Sequence, residues 1–211
     1  QESIYTDVLK ELEEAAAALD ATKPLVTSDV LYGGNIPAWK AFGYSLMLRA
    51  AMRLSKANPT VAQQYVTKAV AGGVIQTNAG SALIRHTTAY TNGIGAFVNG
   101  PEANNYYLAG PFVDYLKTNN DPRLKSIAVR YVGAASGPNQ VPANASTDPA
   151  VQIGMPMGYD NGTIIARATA DGLASFYDYS QLDRTRLGKI DAPCFLLTNA
   201  QTKLLLAEAV I

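Results

Sequence analysis

Residues 35–73, NIPAWKAFGYSLMLRAAMRLSKANPTVAQQYVTKAVAGG, decide the fold. Pro37 stands where a first-turn proline is preorganised for a helix, and Trp39, Phe42, Leu46, Arg49, Ala50, Arg53 and Leu54 follow at helical spacing. This pattern predicts a helix running to about Ala57. Pro59 opens another, in which Val61, Ala62, Tyr65, Val66, Ala69 and Val70 keep the period until Gly72-Gly73 supplies a left-handed stop. Two antiparallel helices joined at Asn58-Pro59 make a hairpin. Its length of about 35 residues, with Trp39 and Gly43 four apart, has the dimensions of a tetratricopeptide unit, although the later positions of that repeat do not carry their expected residues. One such unit cannot bury both its faces, so neighbouring helices are required.

Working outward, Ile4, Val8, Leu12, Ala15 and Leu19 form an apolar stripe from Glu2 to Leu19, with Glu11, Glu13 and Glu14 off it, which predicts an amphipathic helix with a solvated acidic face. On the other side, periodicity fades between Val74 and Gly110. Pro111 then starts a short helix that ends at Asn119-Asn120-Asp121-Pro122. Residues 127–132 alternate as a strand, and Thr163 to Arg167 is its expected partner, reached through the hairpin-turn sequence Asp160-Asn161-Gly162. Residues 133–158, rich in Gly, Pro, Asn, Ser and Ala, read as an irregular loop. Asn199 to Ile211 returns to helix, with apolar residues spread so widely that most of it should be buried. The chain opens at Gln1 without Met and stops inside a helical pattern, so an internal piece of a longer protein is expected.

Composition narrows the functions. The 211 residues carry 17 basic and 17 acidic side chains, 48% hydrophobic residues and a mean hydropathy of 0.00, a profile of a globular chain with no field to attract nucleic acid. One cysteine, Cys194, and one histidine, His86, cannot build a zinc or iron–sulfur site or a cysteine–histidine nucleophile, and no cofactor or metal is expected. Cys194, between Pro193 and Phe195, reads as a small buried hydrophobe. His86 reads as a loop histidine, exposed or hydrogen-bonded. Gly93-Ile94-Gly95 lacks the third glycine of a dinucleotide loop, and Ser136 sits one residue off nucleophile-elbow spacing. Asp171, Asp178 and Asp183 could supply the paired carboxylates of a glycosidase, but their spacing does not force them together. No catalytic residue is assigned. The 12 tyrosines against five phenylalanines and one tryptophan are more informative. Tyr90, Tyr106, Tyr107, Tyr159, Tyr177 and Tyr179 all fall in irregular regions, where ring faces can stack on sugars or peptides and hydroxyls can find polar partners. These six are the candidate ligand-binding residues.

Four motifs in order point to a family: Tyr5-x-x-Val8-Leu9-x-x-Leu12-Glu13-x-Ala15; Asp29-Val30-Leu31-Tyr32-Gly33-Gly34-Asn35 with Trp39-Lys40-x-Phe42-x-x-Ser45-Leu46-x-Leu48-Arg49-x-Ala51-Met52-Arg53; Asp121-Pro122-Arg123-Leu124; and Leu205-Leu206-Ala207-Glu208-Ala209. Over nearly the whole chain this order resembles the SusD/RagB-like family of surface lipoproteins from Bacteroidetes-type bacteria. The resemblance implies a mainly α fold with four helix pairs of tetratricopeptide type and a second part of long irregular loops that carries the ligand side; the strand pair read above adds a small antiparallel β element. It implies one SusD-like domain over 1–211, incomplete at both ends: a helical hairpin region at 1–73, a loop-rich ligand-side region at 74–198 and the start of a further helix pair at 199–211. It further implies an outer-membrane lipoprotein exposed at the cell surface, whose lipidation signal lies outside this sequence. Its partner would be a TonB-dependent (SusC-like) transporter. No family motif fixes ligand residues, so the six tyrosines rest on chemistry alone.

The expected function is non-catalytic capture of oligosaccharide or another nutrient for that transporter. A helical scaffold that binds only protein is the first rival, and a glycoside hydrolase built on the three aspartates is the second.

Overall fold

A computed structural model of the protein describes residues 2–100 and 106–209. In chain order the helices are α1 (Glu2–Ala18), α2 (Ile36–Met52), α3 (Pro59–Gly72), α4 (Gly93–Asn99), α5 (Gly110–Thr118), α6 (Leu124–Ile127), α7 (Thr163–Ala170) and α8 (Asn199–Ala209). The strands are β1 (Ala82–Ile84), β2 (Ala128–Tyr131), β3 (Ala145–Ser146), β4 (Gln181–Leu182) and β5 (Cys194–Leu197). The chain divides into two compact units, one of residues 1–85 with 193–211 and one of residues 86–192. The fold is mainly helical, with two small antiparallel sheets, β1–β5 and β3–β2–β4.

In the first unit α2 is the central element, packed by α1, α3 and α8. Both helices of the hairpin start on an asparagine cap: the Asn35 side chain accepts from the Ala38 N–H at 3.0 Å, and the Asn58 side chain from the Val61 N–H at 3.1 Å. Gly73 ends α3 at φ +91°, a left-handed stop that a residue with a Cβ adopts only at a cost. Leu9, Met47, Leu48, Ala51, Leu54, Ala62, Tyr65, Ala69 and Val74 are buried together as one core. At its edge, the buried Ser45 hydroxyl donates to the Ala41 carbonyl at 2.7 Å and accepts the Ile75 N–H at 2.9 Å, so the chain leaving α3 is tied back to α2. β1 and β5 pair antiparallel, Leu83 opposite Phe195, and close the two sequence segments of this unit into one body.

Two expectations fail here. Of α8 only Thr202 is buried, and Leu204 is 72% exposed. Three successive leucines point in three directions around a helix, so the α2 side covers Leu205 and Leu206 and leaves Leu204 in solvent. Cys194 is exposed rather than buried, because only Leu197 of β5 turns into the core.

The second unit is built differently. β2 is a strand as its alternation predicts, but its antiparallel partners are β3, through Arg130 opposite Ser146, and β4, through Val129 opposite Gln181. Thr163 to Arg167, expected as the partner, is helix α7. The reason is local: Asp160 Oδ1 accepts from the N–H groups of Gly162 and Thr163 and from the Thr163 hydroxyl, at 3.0, 2.8 and 2.7 Å. The turn that resembles a hairpin is therefore a side-chain cap, which satisfies the first N–H groups of a helix.

Residues 133–158 form short turns held by a buried amide. Gln152 is fully buried, its Nε2 donating to the carbonyls of Ser146 and Asp148 at 2.9 and 3.0 Å while its Oε1 accepts the Ser180 hydroxyl at 2.8 Å. Gly95 of α4 lies against the backbone of Lys189, where an added Cβ would collide with the Lys189 carbonyl oxygen. Only glycine permits that approach.

Candidate functional site

The six candidate tyrosines all lie in the second unit, in four surroundings. Tyr90, 57% exposed, stacks on His86 with ring centroids 5.1 Å apart, and the His86 Nδ1 is 3.2 Å from the Tyr90 carbonyl. Tyr106 tilts on Phe97 of α4 at 4.7 Å. Tyr107 and Tyr177 each pack against Phe176, at centroid distances of 6.3 and 4.1 Å. Tyr159 and Tyr179 are joined through two charged side chains of the α7 segment.

Two members of that last grouping, Arg167 and Asp171, line a cleft. Tyr179 is fully buried, and its hydroxyl donates to Asp171 Oδ2 at 2.6 Å. The two carboxylate oxygens of Asp171 also accept from Arg167 Nε, at 2.9 and 3.0 Å, one helical turn earlier. Arg167 Nη1 then donates to the Tyr159 hydroxyl at 3.3 Å, with the guanidinium 5.8 Å from the centre of that ring. The four side chains form a relay from core to surface. Arg167, and next to it Tyr179, hold the Asp171 carboxyl below its ordinary pKa, so it is an ionised acceptor at neutral pH. Burial, reinforced by Asp171, pushes the Tyr179 hydroxyl up, and it stays a donor.

Arg167 and Asp171 face a cleft of about 440 Å³ whose other walls include Pro111, Asp114, Gly154, Pro156 and Met157. Met157 is 72% exposed and Tyr159 42%, so apolar surface and a ring edge the polar pair. A preformed cleft with donor and acceptor fixed side by side, next to apolar surface, suits a polyhydroxylated ligand.

The three aspartates considered for hydrolysis are engaged one by one. Asp171 is in the relay, Asp178 is paired with Arg130 at 2.9 Å, and Asp183 with Arg186 at 3.3 Å. Asp178 and Asp183 are 2 and 1% exposed, so neither presents a carboxyl to a bound sugar. Among the described residues no group of three or more His, Cys, Asp or Glu is placed to hold a metal ion.

Sequence reasoning missed Arg167. Its signal was the four-residue spacing to Asp171, which puts the two on one helix face, and the strand reading of 163–167 hid it.

The sequence profile of a SusD-like family, described as starch-binding and associating with the outer membrane, matches residues 1–211. The chain belongs to this family. A comparison with curated proteins finds no match. Among solved structures, a chitin-binding protein is similar to it at 26% identity and TM-score 0.74 over 100% of this chain and 43% of that one. A chitin-binding SusD homologue from Flavobacterium johnsoniae is similar at 26% identity and TM-score 0.70, covering 99% of this chain and 39% of that one. A Bacteroidetes SusD-like protein is similar at 25% identity and TM-score 0.76, over 100% and 50%. The chain thus spans half or less of the length of these relatives. Among the described residues no helix is long and apolar enough to cross a membrane.

Proposed function

We propose that this chain binds oligosaccharide without cleaving it, as part of a surface lipoprotein of the outer membrane that hands its ligand to a TonB-dependent (SusC-like) transporter. The observation that carries this reading is the Arg167–Asp171 pair, which lines a cleft with Met157 while Arg167 also touches Tyr159, in a chain of a family described as starch-binding. Sugars present flat apolar faces ringed by hydroxyls that both donate and accept. The cleft and the Tyr159 ring beside Arg167 offer the complement: that ring and the Met157 thioether for the face, Arg167 to donate, Asp171 to accept. Tyr179 acts from behind by fixing Asp171. The ligand side lies within the loop-rich stretch 74–198 of a single SusD-like domain. The chitin-binding relatives make N-acetylglucosamine oligomers the first ligands to try.

Calorimetric titration with chitin and malto-oligosaccharides tests the reading, on this chain and on the protein extended to the length of its relatives. Saturable binding is expected, weakened by about 1–3 kcal/mol in Tyr159→Ala, the range for an aromatic ring stacked on a ligand. Silence across a broad glycan panel, with the transporter still captured, would overturn it in favour of a scaffold that binds only protein.

A further inference from the structure

The cleft of Arg167 and Asp171 has a neighbour on the same seam. One of its walls is α5, and another is the segment from Ile153 to Met157. That segment is fastened along α5 in reverse. The Met155 carbonyl accepts the N–H of Gly110, the first residue of the helix, at 2.7 Å, and the carbonyls of Gln152 and Ala150 accept from Lys117 Nζ, two turns on, at 2.8 and 3.3 Å. At Gly154 the two backbones touch so closely that an added Cβ would collide with Gly110.

Towards the far end of α5 the same two walls enclose a second cleft, of about 450 Å³. Lys117, Asn120 and Pro122 line it from the helix side, and Asp148, Pro149 and Ala150 from the other. Pro111 and Asp114 line the first cleft and Lys117 and Asn120 the second, so one row of side chains advances through both, three residues at a time. Side chains three apart are neighbours on a helix, and the two clefts adjoin between Asp114 and Lys117. Pro111 and Lys117 are about 9 Å apart along the helix axis, more than one sugar ring covers.

The second cleft offers a sugar what the first does, without the ring. The buried Leu116 and Leu124 give it an apolar floor between two prolines. Lys117 Nζ gives two of its three N–H groups to carbonyls and keeps one. The Asn120 amide, on an exposed residue, both donates and accepts. Asp148 caps the Ala150 N–H through Oδ1 at 2.9 Å and keeps its other oxygen as an acceptor.

We propose that the two clefts are successive subsites of one groove along α5, and that the ligand is an oligosaccharide chain laid lengthwise across both. This rests on the reading of the first cleft as a sugar site. A dimer engages one cleft. In a longer chain the second contact is intramolecular, so affinity rises with length.

Calorimetric titration of this chain with N-acetylglucosamine oligomers from dimer to hexamer, and with malto-oligomers of the same lengths, tests the proposal. Affinity is expected to rise tenfold or more from dimer to hexamer, at one ligand per protein. Ala150→Trp, which fills the second cleft and leaves Arg167 and Asp171 in place, is expected to bind the hexamer no tighter than the dimer. Asn120→Gly removes the amide and suits the left-handed backbone there, at φ +50°. It is expected to lower hexamer affinity severalfold and leave dimer affinity unchanged, so the test survives if the tryptophan variant folds poorly. A dimer bound as tightly as the hexamer, or a length dependence that persists in both variants, overturns the second subsite and leaves the first cleft standing. No binding at any length overturns both.

Discussion

In the unit formed by residues 1–85 and 193–211, nine buried residues of α1–α3 and their flanks make one contiguous core, and three more close the β1–β5 side. In the unit of residues 86–192 the apolar core is broken into separate clusters of four, four and three. Buried polar residues run the other way: Ser45, Ser81 and Thr202 in the first unit, against Gln140, Gln152, Asp178, Ser180, Gln181 and Asp183 in the second. Helices satisfy their own backbone groups and need only an apolar stripe to pack. Irregular segments must find partners for each N–H and C=O, and here side chains supply them. The unit that carries the Arg167–Asp171 cleft and the six candidate tyrosines is thus the one whose order depends on polar contacts.

The sharpest way to break that contrast is Asp178→Ala. Asp178 accepts from Arg130 Nε at 2.9 Å, from the Gly133 N–H at 3.0 Å and from the Ala174 N–H at 3.3 Å. Arg130 would be left buried without its carboxylate, a loss of about 3–5 kcal/mol. Denaturant unfolding followed by hydrogen exchange should show protection lost across residues 126–182 and retained in α1–α3. Equal loss in both regions would mean that the two units unfold as one.

The reciprocal test is Leu48→Ala. Leu48 is fully buried at the centre of the helical core, and truncation should destabilise that unit by roughly 2–5 kcal/mol, read as a lowered denaturation midpoint. Gln152→Met is a smaller probe of the second unit, near in shape and without the amide. It strands the carbonyls of Ser146 and Asp148 and the Ser180 hydroxyl, at a cost of about 1–3 kcal/mol. A neutral outcome would show that the loop is ordered by packing instead.

The same contrast governs what the sequence discloses. The α2–α3 hairpin is legible because Pro37, Pro59, the asparagine caps and Gly73 act on residues within one turn, and the apolar period is local. The partners of β2 are not legible, since Gln181 pairs with Val129 across 52 residues through backbone groups that every residue type shares. Thr163-Ile164-Ile165 looks like strand from its branched side chains, and Asp160-Asn161-Gly162 looks like a hairpin turn. Three hydrogen bonds to one carboxylate oxygen decide for helix, a choice that depends on where that oxygen points. For the site, a list of tyrosines could be read but not their grouping. Tyr179 is a buried support, Tyr159 an exposed ring, and Arg167 between them was invisible until its segment was known to be helical.

The smallest effect expected is a pH response in a loop of the helical unit that uses the chemistry of the other. Asp29 lies between α1 and α2, where burial alone would raise its pKa. The N–H groups of Gly34 and Leu31, the Trp39 indole and the Tyr32 N–H all donate to it, and together they bring it down to about 2. Because the folded value lies below the ordinary 3.8, the stabilisation is complete above pH 3.8 and is lost as the pH falls toward 2. The indole Nε1 of Trp39, the sole tryptophan, donates to the Asp29 carboxylate at 2.7 Å, so its fluorescence reports this loop directly. The emission should shift between pH 4 and 2 while helical circular dichroism holds, and Asp29→Asn should abolish the shift. If the variant shifts over the same range, the acid response belongs to other carboxylates, and the loop is held by Tyr32 and Trp39 packing edge to face at 5.7 Å rather than by its charge.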